Sequence, residues 1–154
     1  MAERKGVWYD VFNFIHPMEA REQPVDTFNG QKTILFVDDE EGIVEIGELI
    51  LKKLGYKVLT AADGREAIAL YKEKHAQIDL VILDMIMPEM DGSDTFQELK
   101  KINPDIQAIL SSGYSMDGQT TTILELGCKG FIQKPFGMQD LSAKVKSVLD
   151  RHDP

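Results

Sequence analysis

The chain has 154 residues, of which 43% are hydrophobic and 28% are charged, a composition typical of one globular domain rather than of a disordered chain. Its net charge of −9 argues against a nucleic-acid-binding surface, which requires clustered Lys and Arg. The single cysteine excludes an internal disulfide and a cysteine-based metal cluster, and no apolar run approaches the length of a membrane span. With no secretory signal visible, a reducing, cytoplasmic setting is expected.

The first thirty residues differ in composition from the rest and are predicted to form a leader or linker. They contain the only tryptophan, Trp8, and their apolar residues recur at helical spacing, which favours a short helix. Two interpretations stay open: a helix that packs on its own domain, or one that mediates dimerisation or partner docking. Asn29–Gly30 is a turn signal before the first apolar run. The predicted organisation is a leader, a main domain and a tail at residues 1–30, 31–150 and 151–154.

Short apolar runs alternate with amphipathic segments from Thr33 onwards. The apolar runs predict five buried strands at Thr33–Val37, Tyr56–Thr60, Leu80–Leu83, Ile106–Ser111 and Gly130–Gln133. The amphipathic segments predict five helices at Glu41–Leu54, Arg65–His75, Ser93–Lys101, Gln119–Leu126 and Gln139–Leu149. This alternation predicts a doubly wound α/β fold, in which helices cover both faces of a five-stranded parallel sheet.

The ligand site of such a fold lies beyond the carboxyl ends of the strands, where the strand order reverses. Polar residues follow four of the predicted strands: Asp38, Asp39, Asp84, Ser111, Ser112 and Lys134. Neighbouring carboxylates repel one another, and a hard divalent cation such as Mg²⁺ offsets that repulsion. A lysine and a hydroxyl beside them can bind phosphoryl oxygens. The set therefore suits phosphoryl transfer to a carboxylate nucleophile, which would give an aspartyl phosphate.

These motifs resemble those of the receiver domains of response regulators in two-component signalling. The matching segments, in family order, are Ile34–Glu41, Leu83–Pro88, Asp91–Gly92, Ser111–Tyr114 and Lys134–Phe136. An Asp doublet alone is weak evidence, but the doublet together with Asp-x-x-x-Pro and Lys–Pro on successive strand ends is specific. The resemblance implies a flavodoxin-like sheet with the strand order 2-1-3-4-5. The segment Phe131–Phe136 also resembles receivers of hybrid sensor histidine kinases.

The resemblance implies a role for each acidic residue at this edge. Asp84 matches the phosphoacceptor of the family. Asp38 and Asp39 match the acidic pair that holds Mg²⁺, and Asp39 is expected to bind the ion more directly. Asp84 itself and the backbone carbonyl of Ile86 complete the metal ligands that the resemblance implies.

The resemblance also implies how the phosphoryl group is sensed. Lys134 matches the lysine that contacts the phosphoryl group, and Pro135 is expected to follow it through a cis bond. The spacing back from Lys134 gives Ser112 as the switch hydroxyl, with its neighbour Ser111 as the alternative. Phe131 stands at the position of the aromatic switch residue, although a plain core role fits it equally well.

The implied function is a phosphorylation switch in a phosphorelay rather than a turnover enzyme. The expected partner is a sensor histidine kinase or a histidine phosphotransfer protein, a homodimer is left open, and neither nucleic acid nor a membrane segment is expected for this chain. The alternative is a docking module that binds proteins on the same fold without phosphorylation. Since the sequence ends at Pro154, shortly after the last predicted helix, no DNA-binding helix-turn-helix is expected.

Two residues depart from commoner receiver patterns. Ile86 and Tyr114 stand where the family places the side chains that flank the phosphoryl group. Neither side chain is a good base for positioning an attacking water, so slow hydrolysis of the aspartyl phosphate is expected. Ile86 also argues against an aspartyl-phosphate phosphatase, since such enzymes usually carry a second acid at that position.

Overall fold

The computed structural model describes the backbone of residues 31–113 and 118–152, and the side chains of residues 31–113 and 121–150. The predicted leader helix and the boundary at residue 30 lie outside the described residues, as does Tyr114. At the other end, the last helix continues to His152, into the segment predicted as a tail. None of the helices formed by the described residues is long and apolar enough to cross a membrane.

A parallel sheet of five strands forms the centre of the described chain. The strands are β1 Thr33–Val37, β2 Lys57–Ala61, β3 Leu80–Asp84, β4 Ala108–Ser112 and β5 Gly130–Gln133. Their spatial order is β2-β1-β3-β4-β5, so the direction of winding reverses between β1 and β3. The predicted flavodoxin-like order is confirmed, and the switch point lies where open α/β sheets bind their ligands.

Helices connect the strands and cover both faces of the sheet. They are α1 Glu41–Lys53, α2 Gly64–Lys74, α3 Gly92–Ile102, α4 Gly118–Glu125 and α5 Met138–His152. Two of them begin at aspartate caps. The carboxylate of Asp63 accepts a hydrogen bond from the Glu66 N–H at 2.8 Å, and that of Asp91 accepts one from the Asp94 N–H at 2.9 Å. With Asp91 as its cap, α3 begins at Gly92, one residue before the predicted start at Ser93.

Alternate residues of the strands face two hydrophobic cores. In the first core, even-numbered residues of β1 and β3, such as Phe36 and Ile82, pack together with Ile109 of β4 and with α1 and α5. In the second core, odd-numbered residues of β1 and β3, such as Leu35 and Leu83, pack with even-numbered residues of β4 and with α2, α3 and α4. The central strands are buried on both faces, as continuous apolar runs in parallel sheets are. This packing fixes the positions of the polar residues that follow the strands.

Two strands start later than predicted, because the polypeptide still turns where the apolar run already begins. Tyr56 donates its N–H to Leu51 at the end of α1 (3.1 Å), beside Gly55 with a φ of 102°, so β2 starts one residue later. Ile106 donates its N–H to Asn103 at the end of α3 (3.0 Å), so β4 starts at Ala108. Both residues are buried, which explains why they looked like strand residues in the sequence.

Candidate functional site

Three carboxylates meet at the carboxyl ends of β1 and β3. Asp38 and Asp39 directly follow β1, and Asp84 is the last residue of β3. Because these strands are neighbours in the sheet, one oxygen of each carboxylate lies within 4.8 Å of the others. Asp38 and Asp84 are buried, whereas Asp39 is exposed. The structure thus brings together the three acids that the sequence placed at this edge.

The ammonium group of Lys134 lies among these carboxylates. Its Nζ donates hydrogen bonds to Asp38 Oδ2 at 2.9 Å and to Asp84 Oδ1 at 3.3 Å. Lys134 directly follows β5, and its backbone N–H donates to the Ser112 carbonyl at 2.7 Å, which ties it to the end of β4. The Lys134–Pro135 bond is cis, as the resemblance implied. Only 12% of the Lys134 side chain is exposed, so its charge acts inside the cluster.

Burial and crowding perturb the protonation of Asp84. Its burial at the sheet edge and the negative charge of Asp38 raise the pKa of Asp84 to about 7, although Lys134 acts in the opposite direction. Burial lowers the pKa of Lys134, but its hydrogen bonds to Asp38 and Asp84 and their charges outweigh burial and raise that pKa above its ordinary value. The cluster contains three carboxylates and one ammonium group, so the metal-free site carries a surplus of negative charge.

The cluster fits a hard divalent cation. Mg²⁺ prefers oxygen ligands, and it is usually bound by one or two carboxylates plus waters. An open cleft of about 670 Å³ beside the carboxylates has room for such waters and for a phosphoryl group. A cation there would favour the ionised form of Asp84, which the metal-free cluster disfavours. The cleft is lined by Asp39, Glu40, Ile43, Asp84, Ile86, Gly113, Lys134 and Pro135.

Two residues that follow the strand ends complete the rim of the cleft. The side chain of Ile86 is 58% exposed at the mouth, and its backbone N–H lies 3.4 Å from Asp84 Oδ1. The carboxylate of Glu40 lies 3.6 Å from Lys134 Nζ, so a third acid, besides Asp38 and Asp84, reaches the lysine. Sequence reasoning gave Glu40 no role, and the available signal was its place in the acidic run after β1.

The two serines considered for the switch are both buried at the end of β4, but they face opposite sides of the sheet. Ser112 follows Leu110 by two residues, and Leu110 belongs to the second core and pairs in register with Phe131. Ser112 and Phe131 therefore share a face, and the half-buried Phe131 packs against that core. Ser111 lies on the opposite face and pairs in register with Asp84.

Comparison with known proteins supports what the geometry indicates. A model of the response regulator receiver domain family matches residues 34–146. The chain belongs to this family. It is 36% identical over 140 residues to the sensor kinase CckA of Brucella abortus (strain 2308), covering 89% of this chain and 15% of that protein. The chain spans half or less of the length of the curated relatives it matches.

Two solved structures show the same receiver fold. The crystal structure of the receiver domain of the hybrid histidine kinase CckA is 33% identical, has a TM-score of 0.65 and covers 76% of this chain and 98% of its own. The CheX–CheY complex with BeF3 and Mg²⁺ from Borrelia burgdorferi gives 32% identity and a TM-score of 0.73, covering 76% of this chain and 88% of its own. The predicted likeness to hybrid-kinase receivers is confirmed.

A glycine sets the position of the end of β3, which carries Asp84, in this receiver. Gly92, the first residue of α3, donates its N–H to the Met85 carbonyl at 2.8 Å. A β-carbon built on Gly92 would lie 2.5 Å from the Asp84 carbonyl oxygen and 2.7 Å from the Met85 Cα. Both atoms belong to the backbone, so neither can move aside as a flexible side chain would. Only glycine lets α3 approach the end of β3 this closely.

Gly92→Ala is therefore expected to lower the free energy of unfolding by about 1–3 kcal/mol, the usual cost of overpacking. It should also weaken Mg²⁺ binding, since the added methyl group displaces the backbone that carries Asp84. Gly42→Ala is the matched control, because a β-carbon on this α1 glycine would meet nothing within 4 Å. Urea unfolding and Mg²⁺ titration of both variants check the prediction. Equal behaviour of the two variants would show that the close approach is unimportant.

Proposed function

We propose that this receiver is a phosphorylation switch in which Asp84 accepts a phosphoryl group from a partner phosphohistidine. The observation that carries the proposal is the placement of the buried Asp84 between Lys134, at 3.3 Å, and the neighbouring Asp38 and Asp39. The donor would be a sensor histidine kinase or a histidine phosphotransfer protein. The switch would extend over residues 31–150, with a leader at 1–30 and a tail at 151–154, and would act in the cytoplasm.

The transfer itself is an in-line displacement at phosphorus. A carboxylate oxygen of Asp84 forms the new P–O bond while the P–N bond breaks and the bonding electron pair leaves with the imidazole nitrogen. Lys134, already within reach of Asp84, would hold a phosphoryl oxygen and offset its negative charge. Mg²⁺ held by Asp38, Asp39, Asp84 and the Ile86 carbonyl would supply positive charge to the transferring group.

The output would follow from movement on the Ser112 face of the sheet. The new phosphoryl oxygens would attract the Ser112 hydroxyl, and Phe131 on the same face would turn inward into the space released. The surface formed by α4, β5 and α5 would then change its preference among partner proteins, including a second copy of this chain. Ser112 carries this role better than Ser111, because only Ser112 shares a face with Phe131.

The proposal is tested by incubating the purified chain with Mg²⁺ and a small phosphodonor such as phosphoramidate, and measuring its intact mass. We expect one added phosphate in the presence of Mg²⁺ and none when EDTA is present from the start of the incubation. The added phosphate should be strongly reduced in Asp39→Asn. The exposed Glu45 on α1 supplies the control, Glu45→Gln, which should be phosphorylated like the wild type. A chain that binds Mg²⁺ but gains no phosphate from any donor would instead support a phosphorylation-independent docking module.

The side chain at position 86 should control the lifetime of the aspartyl phosphate. Ile86 stands exposed at the mouth of the cleft beside Asp84 and offers no group to orient an attacking water. Ile86→Asn is expected to accelerate hydrolysis several-fold, since an amide can hold a water near the phosphorus. Ile86→Val keeps the apolar character and should decay at the wild-type rate. Loss of phosphate over time at fixed Mg²⁺ measures the effect, and equal rates for all three proteins would contradict it.

A further inference from the structure

The hydroxyl of Ser111 is buried without a hydrogen-bond partner, the only such side-chain atom among the described residues. Ser111 is 1% exposed, so water does not reach its oxygen from bulk solvent. A buried hydroxyl without a partner costs free energy, and alanine would avoid that cost at nearly the same volume. A buried hydroxyl without a partner requires an explanation, and one explanation is a second state of the protein in which the Ser111 hydroxyl forms a hydrogen bond.

The register of the sheet places Ser111 directly beside the phosphoacceptor. Ser111 on β4 pairs with Asp84 on β3, and neighbouring strands lie about 4.8 Å apart. In-register residues of a parallel sheet project to the same face, and here it is the face of Ile109, in the first core. On its other side Ser111 pairs with Ile132, two residues before Lys134. The hydroxyl thus lies at the base of the site, between Asp84 and the strand that carries the lysine.

Phosphorylation would change the hydrogen bonds that the carboxyl group of Asp84 accepts. In the unphosphorylated protein the Asp84 Oδ1 accepts a hydrogen bond from Lys134. If Lys134 turns to a phosphoryl oxygen, that carboxyl oxygen remains buried and keeps only the long hydrogen bond from the Ile86 N–H, at 3.4 Å. We propose that the Ser111 hydroxyl then donates a hydrogen bond to the carboxyl oxygen of Asp84 and steadies the acyl phosphate. This inference rests on the proposed phosphoacceptor role of Asp84.

The two adjacent serines would then have separate tasks. Ser112 faces the second core together with Phe131 and suits the output movement. Ser111 faces the first core together with Asp84 and suits support of the acceptor itself. Because Ser111 supports only the state in which Lys134 has moved, its loss should weaken that state and leave the metal-free protein intact.

The test uses beryllofluoride, a tetrahedral mimic of the phosphoryl group that binds without a covalent transfer step. In saturating Mg²⁺, Ser111→Ala is expected to weaken beryllofluoride binding about three- to tenfold, the loss typical of one hydrogen bond. Its affinity for Mg²⁺ alone should stay within about twofold of wild type, and its stability in EDTA should not fall. Ser111→Thr retains the hydroxyl and should restore binding. The control Ser142→Ala removes another buried hydroxyl, on α5, and should change neither affinity.

A second measurement does not depend on any variant. Nuclear magnetic resonance of the wild type should show a slowly exchanging Ser111 hydroxyl proton after beryllofluoride addition, and none before. Wild-type affinity in Ser111→Ala, or an equal loss of Mg²⁺ affinity and stability, would overturn the inference and leave the proposed function standing. If the wild type binds Mg²⁺ but no beryllofluoride, the proposed function fails and the role of Ser111 fails with it.

Discussion

Replacing Asp84 with Asn is expected to raise the free energy of unfolding of the metal-free protein by about 2–4 kcal/mol at pH 8. Burial, together with the charge of Asp38, raises the pKa of Asp84 from its ordinary value of 3.8 to about 7. A tenfold change in proton affinity is worth about 1.4 kcal/mol, and asparagine avoids the charge altogether. The substitution would thus remove the proposed phosphoacceptor and stabilise the fold, as expected where a site holds strain for function.

The sign of the pH dependence follows from proton binding. Between about pH 4 and pH 7 the folded protein keeps a proton on Asp84 that the unfolded chain has released. The stability of the wild type relative to Asp84→Asn therefore falls as the pH rises through this window and changes little above it. Urea unfolding in EDTA at pH 5 and pH 8 measures the difference in free energy of unfolding between the wild type and Asp84→Asn. Glu73→Gln, at an exposed position, is the control. If Asp84→Asn is no more stable than the wild type at pH 8, the account is contradicted. Added Mg²⁺ should reduce the difference in stability between the two proteins.

Removing the charge of Lys134 is expected to have the opposite effect. Lys134→Ala leaves Asp38 and Asp84 buried without their shared ammonium, which should lower the free energy of unfolding in EDTA by about 3 kcal/mol. Lys134→Met keeps most of the apolar stem, so a similar loss in both variants assigns the effect to charge rather than to packing. We also expect strongly reduced phosphorylation, because the ammonium no longer offsets charge on the transferring group.

A double-mutant cycle separates this effect from general damage. The free energy of unfolding of Lys134→Ala combined with Asp84→Asn should be higher than the sum of the two single effects predicts. The reason is that the asparagine removes one of the two buried charges that Lys134→Ala leaves without a partner. Lys101, which forms an exposed ion pair with Glu98 at 2.9 Å, provides the comparison, and Lys101→Ala should change stability by less than about 1 kcal/mol. Additive effects at positions 84 and 134 would show that the two side chains do not interact.

The fold and the cluster of acidic residues at one edge of the sheet could be predicted from the sequence, because both follow from the alternation of apolar strands with amphipathic helices. Once the apolar runs are read as parallel strands, Asp38, Asp84 and Lys134 must meet at the carboxyl ends of β1, β3 and β5, and the structure places them within hydrogen-bond distance. The starts of β2 and β4 were less predictable. Tyr56 and Ile106 are buried in the turns that precede these strands, so the apolar pattern begins before the hydrogen-bonded sheet does.

Other features of the site depend on distances that spacing in the sequence does not give. Glu40 reaches Lys134 only because of the turn that follows β1. The division between Ser111 and Ser112 depends on which face of β4 each occupies, and a shift of one residue in the register would exchange them. The close packing of Gly92 against the Asp84 backbone likewise appears only in three dimensions.

The central claim is that Asp84 itself carries the phosphoryl group, and reductive trapping tests it most directly. Borohydride reduces an acyl phosphate to an alcohol, so a phosphorylated aspartate becomes homoserine, which peptide mass spectrometry can locate. After incubation with Mg²⁺ and phosphoramidate, we predict homoserine at position 84 of the wild type and no homoserine in Asp84→Asn. Homoserine at another aspartate, or phosphate bound without any homoserine at position 84, would contradict the account.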